Sequence, residues 1–132
     1  AMLPRNRWFI AAALVYALAG GLLGLAWLAV PGSVPAYTLR AHAHLMLVGF
    51  VGMMIFGVGL HVLPRFTGRA LYSERLADWQ FALVNAGLVA MVSGWLVPLT
   101  SVARTGGALL WAGLALFALN VVATVRPWAR RG

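Results

Sequence analysis

The stretch from Leu39 to Leu63 reads LRAHAHLMLVGFVGMMIFGVGLHVL, and once past Arg40 it holds no formally charged side chain. A run so long and so apolar exceeds the roughly 20 residues an α-helix needs to cross the hydrocarbon core of a bilayer. It predicts a helix whose solvent is lipid. Three similar runs flank it, at about Trp8 to Val30, Asp78 to Val97 and Gly106 to Val125. With 63% hydrophobic and only 9% charged residues among 132, and a mean hydropathy of +0.91, the chain has more apolar surface than a water-soluble domain can hide. The predicted fold is all-α, an integral membrane four-helix bundle, with residues 1–132 forming one transmembrane domain.

Prolines punctuate these runs. Pro31, Pro64, Pro98 and Pro127 each stand at or just beyond the end of a span. A proline has no amide proton to continue a helix and disfavours helix in the residue before it, so all four are expected stops. The first span follows a basic segment as a signal peptide would, but its apolar stretch is longer than a signal core, and it is read as a retained helix.

All ten basic residues are arginine, against two acids, for a formal charge of +8. The arginines form no basic stripe and no groove-binding motif, so nucleic acid is not an expected partner. Arg5, Arg7, Arg65, Arg69, Arg75, Arg126, Arg130 and Arg131 fall on one side of the four spans and only Arg40 and Arg104 on the other. The positive-inside bias then puts both termini and the second connection in the cytoplasm of a prokaryote whose plasma membrane holds the protein. Trp8, Trp79 and Trp128 near the inner ends, and Trp27, Trp95 and Trp111 near the outer ends, read as aromatic belts. Cysteine is absent, which excludes disulfides and thiolate metal sites.

Glycines inside the helices, among them Gly20, Gly21, Gly24, Gly49, Gly52, Gly57, Gly59, Gly87 and Gly94, are expected to let helices approach closely. On the second span they also suit a flat macrocycle lying against the helix. Asn85 and Asn120 are expected to bond between helices.

The three histidines, His42, His44 and His61, all lie on the second span. An ionisable side chain at membrane depth is a functional candidate by default. His42 and His44 are two residues apart, so on a regular helix they project about 200° apart and cannot chelate one ion. They can serve two sites on opposite flanks. His42 with Met46, at i and i+4, is the one pair spaced to share an ion. Imidazole nitrogen is an axial ligand for haem iron, and haem supplies a flat apolar body that helices can enclose.

Residues His42 to Ala77, HAHLMLVGFVGMMIFGVGLHVLPRFTGRALYSERLA, resemble the tenth helix and following loop of haem-copper oxidase subunit I, especially C-family oxidases and nitric oxide reductases. The likeness continues through Trp79, Phe81 and Gly87. The resemblance implies that His42 ligates a high-spin haem and His44 a low-spin haem, towards the outer half of the membrane. Gln80 departs from it, because the family pattern usually has histidine after the tryptophan. The three copper-ligating histidines are missing too, so complete oxidase activity is not expected of this chain alone.

Subunit I has twelve helices in approximate threefold array, and this chain resembles one third of it. The resemblance therefore implies a homo-oligomer, dimer or trimer, with a b-type haem clamped between second spans by His44 and its mate, for electron transfer or for binding a diatomic gas such as O2 or NO. Arg40 and Arg104 are candidates to pair with haem propionates or with lipid headgroups. His61, 17 residues beyond His44, is read as an interfacial histidine, with ligation of a second haem as the rival. Two other classes stay open: a copper or zinc site using His42 and Met46 of several copies, and a structural assembly subunit of a respiratory complex.

Overall fold

The computed structural model describes residues 1–126. Pro127, Trp128, Arg130 and Arg131, to which the sequence assigned a helix stop, a belt position and inner charges, lie outside the described residues. Four helices long and apolar enough to cross a membrane follow one another: α1 (Pro4–Ala29), α2 (Thr38–Thr67), α3 (Glu74–Leu96) and α4 (Thr100–Val125). A short 3-10 turn, Pro31–Ser33, links the first two. Among the described residues there is no strand. The chain is a multi-pass, all-α membrane protein.

Among the described residues two of the expected proline stops hold and one does not. α1 ends before Pro31 and α3 before Pro98, where Val97 is extended as a residue preceding proline prefers. Pro64, expected to end α2, instead lies inside it, and the helix runs on to Thr67. The stop is Gly68, which adopts the left-handed conformation that glycine takes without a Cβ penalty. The Arg69 amide then donates to the Pro64 carbonyl, at 3.1 Å. A proline removes only one bond from the ladder, and here the last helical turn and the glycine cap carry the chain past it.

The second departure from the simple reading is inside α2, where Leu45–Gly52 is π-helical. The Met53 amide reaches back five residues to the Val48 carbonyl. A four-residue step on an α-helix drifts by about 40°, and the wider π turn counters that drift. His44, Val48, Gly52 and Phe56, at successive four-residue steps, therefore all face one groove.

Packing joins two helix pairs. On α1, Asn6, Phe9, Ala13, Tyr16 and Gly20 are buried at alternating steps of three and four and form a seam against α2. Gly49 lies under Tyr16, and Gly57 under Phe9 and the Asn6 carbonyl. α3 and α4 meet backbone to backbone: a Cβ on Gly87 would strike Leu110 and Gly106, and one on Gly94 would strike Ala103. These are the small-residue contacts expected of membrane helices. Phe9, Phe56, Phe81 and Phe117, one from each helix, interlock with ring centroids 4.8 to 5.7 Å apart. Leu14, Leu18, Leu22 and Leu28 face outward, where lipid would cover them.

Polar groups tie the ends. Arg5 on α1 pairs with Glu74 at 2.7 Å and Asp78 at 3.1 Å on α3, the only two acids in the chain. Asn120 is fully buried and clamps the turn before α3, accepting from the Ser73 amide at 3.0 Å and donating to the Ser73 carbonyl at 2.8 Å. Asn85 links α1 to α3 by accepting from the Tyr16 hydroxyl at 2.7 Å.

Candidate functional site

His42 and His44 lie in the α-helical turn just before the π segment, and their side chains go to opposite flanks. His42 turns towards α1, where its Nδ1 lies 2.6 Å from the Gly20 carbonyl oxygen. A carbonyl oxygen only accepts, so Nδ1 carries a proton, and in the neutral imidazole Nε2 keeps its lone pair. Gly24, one turn along α1, makes this possible: a Cβ there would sit 2.9 Å from His42 Cε1. Gly24, Thr38 and Leu39 line a cavity of about 380 Å3 with His42, between α1 and α2.

His44 is set in the same way on the other flank. Its Nδ1 donates to the Arg40 carbonyl one turn back, at 2.9 Å, and again Nε2 is left with a free lone pair. Its ring meets the Trp95 indole edge to face, with centroids 4.8 Å apart. Beyond it opens a groove of about 550 Å3 between α2 and α4, walled by Val48, Gly52, Phe56, Met91, Leu110 and Phe117 among others. That volume lies within the roughly 300–1,000 Å3 of ligand and cofactor pockets. The groove is almost wholly apolar and its rim residues Leu47, Ile55 and Trp111 are exposed, so it is open towards the bilayer.

Arg40 and Arg104 converge although they lie on different helices. Both line a cleft of about 340 Å3 with Tyr37, Trp95, Pro98 and Thr100. The Arg40 guanidinium sits over the Tyr37 ring at 5.0 Å and the Trp95 ring at 5.4 Å. Both acids of the chain are at the opposite end, held by Arg5, so this cleft has two cations and no carboxylate. Trp95 is the partition between the cationic cleft and His44.

His61 is not part of this arrangement. Arg65 donates to its Nδ1 at 3.1 Å and to its backbone carbonyl at 2.6 Å. An imidazole that accepts at Nδ1 carries its proton on Nε2, the reverse of the other two histidines. Met46 packs its sulfur against Gly20, on the same side as His42. Among the described residues no three His, Cys, Asp or Glu side chains come together to hold a metal ion.

The residues present fit a haem better than a chelated ion. A metal-ligating histidine characteristically donates its other ring N–H to a carbonyl or carboxylate, which fixes the tautomer and restricts the ring orientation. His42 and His44 both do so, and His44 does it at the wall of an apolar groove that Gly52 also lines. Three contributors escaped the sequence reading. In the sequence Trp95 reads only as a belt residue, Gly24 only as a packing glycine, and the Gly20 carbonyl has no signature at all.

No curated protein and no solved structure matches the chain. Residues 6–98, more than two thirds of the chain, match the family model of cytochrome c and quinol oxidase polypeptide I, which extends the likeness beyond the second span to take in nearly all of α1 and α3; the chain belongs to that family.

Proposed function

We propose that the protein is a haem-binding membrane protein in which the free Nε2 atoms of His42 and His44 are axial ligands to iron. The observation that carries this reading is the shared tautomer: two histidines on opposite flanks of one helix each donate Nδ1–H to a backbone carbonyl, and family membership supports haem as the cofactor. A bound haem contributes an iron that changes oxidation state and takes imidazole or a diatomic gas as axial ligand.

His44 holds a b-type haem in the α2–α4 groove, with Phe56, Leu110 and Phe117 giving apolar cover and Gly52 giving room against the helix. Arg40 and Arg104 pair with its propionates from the adjoining cleft. Because the groove is open on its lipid side, a second copy closes it and supplies the other axial histidine, making the working form a homo-oligomer. His42 is the ligand of a second site on the α1 flank. Two imidazole ligands suit electron transfer, whereas one suits gas binding. The arginine bias puts the histidines on the outer side of a prokaryotic plasma membrane.

Absorption spectra of the purified protein, taken with its mass in detergent, test the reading. A Soret band that shifts on reduction, in an oligomer, is the expected result. A colourless protein carrying stoichiometric copper would replace it with the His42 and Met46 metal site.

A further inference from the structure

Trp95, on α3, meets both Arg40 and His44, which stand one turn apart on α2. Three contacts link Arg40, His44 and Trp95 across α2 and α3. The His44 Nδ1 donates to the Arg40 carbonyl at 2.9 Å, the His44 ring meets the Trp95 ring at 4.8 Å and 68°, and the Arg40 guanidinium stands over that same indole at 5.4 Å. A hydrogen bond at Nδ1 fixes which nitrogen is free but still lets the imidazole plane swing about it. The edge-to-face contact removes that freedom, because aromatic rings prefer this offset geometry to a random one. The same indole holds the exposed Arg40 guanidinium over its ring by cation–π attraction.

We propose that Trp95 is the positioning residue of the His44 site, fixing the plane of the axial imidazole and holding the Arg40 cation over its own indole. The inference rests on the haem reading above. Trp95 touches the ligand and not the iron. It acts through His44 on the orientation of the ligand plane and through Arg40 on the local charge. A nearby cation favours the reduced, less positive iron, so releasing Arg40 lowers the midpoint potential.

A tryptophan that only anchors the helix at the membrane interface predicts otherwise: its loss changes stability or insertion and leaves the iron's spectroscopy alone. The test is therefore electron paramagnetic resonance and potentiometry on the haem-loaded oligomer carrying Trp95→Leu, with Trp95→Phe as the conservative variant. Trp95→Leu is expected to keep its haem, to broaden and shift the low-spin ferric g values, and to move the midpoint potential down. Trp95→Phe keeps a ring edge for His44 and should restore most of the g values. Unaltered g values and potential in a fully loaded Trp95→Leu protein overturn the positioning role. If that variant loads too poorly to measure, the Phe variant decides: a lowered midpoint potential with the g values nearly kept upholds the role, since phenylalanine holds a cation less well than tryptophan, and g values and potential both matching the unaltered protein's overturn it. Haem that survives His44→Ala with an unchanged spectrum defeats the underlying haem assignment instead, so the two failures are distinct.

Discussion

His42 and Gly20 are locked together across the α1–α2 interface: the imidazole Nδ1 lies 2.6 Å from the glycine carbonyl, with Gly24 leaving the gap through which the ring passes. The bond matters because it decides the tautomer, and the tautomer decides whether Nε2 can bind a metal.

Gly24→Ala puts a methyl group 2.9 Å from His42 Cε1, and the ring must turn away. The expected result is loss of the Nδ1–H bond to Gly20, at a cost of about 1 kcal/mol. Nitrogen NMR of histidine-labelled protein in lipid reads the change directly, as loss of the Nδ1-protonated signature at His42 while His44 keeps its own.

Gly87 and Gly59 make a contrasting pair. A Cβ on Gly87 meets the backbone of α4, whereas one on Gly59 meets nothing within 4 Å. Gly87→Ala should destabilise the bundle by about 1–3 kcal/mol through overpacking. Gly59→Ala should be neutral or stabilising by up to about 1 kcal/mol, since alanine loses less backbone entropy in a helix. Thermal melts in one detergent rank the two.

Asn120→Ala strips the Ser73 amide and carbonyl of their partner at a fully buried site. Leaving such groups unpaired costs about 1–3 kcal/mol each. A melt lowered by a corresponding amount is expected, and hydrogen exchange at the Ser73 turn should rise.

Much of this fold is legible from sequence because lipid imposes a simple rule: backbone groups must be satisfied within the segment, so long apolar runs become helices. The divergence of His42 and His44 follows from helical period alone, and the structure gives each its own cavity. What period cannot give is the π segment at Leu45–Gly52, which arises where Gly49 is pressed beneath Tyr16 of another helix. Nor does it give the meeting of Arg40 with Arg104, or the place of Trp95 between Arg40 and His44, because contacts between spans depend on how the helices pair. Pro64 misleads for a related reason: a rule about one residue yields to a helix that Gly68 can still cap.

Orientation is open to direct measurement because the chain has no cysteine. Ser33 is exposed in the α1–α2 connection, and Arg75 is exposed at the start of α3. With both termini inside, Ser33→Cys should react with a membrane-impermeant maleimide in intact cells and Arg75→Cys should react only after lysis. The reverse pattern would invert the topology.

The most direct test of the haem reading is the iron-porphyrin content of the purified oligomer beside its His44→Ala and His61→Ala variants, measured from reduced-minus-oxidised absorbance per protomer. The account predicts a haem signal in the unaltered protein, loss of its His44-bound part or conversion of that part to a five-coordinate spectrum in His44→Ala, and no change in His61→Ala. A His44→Ala protein with full haem content and an unchanged spectrum would contradict it.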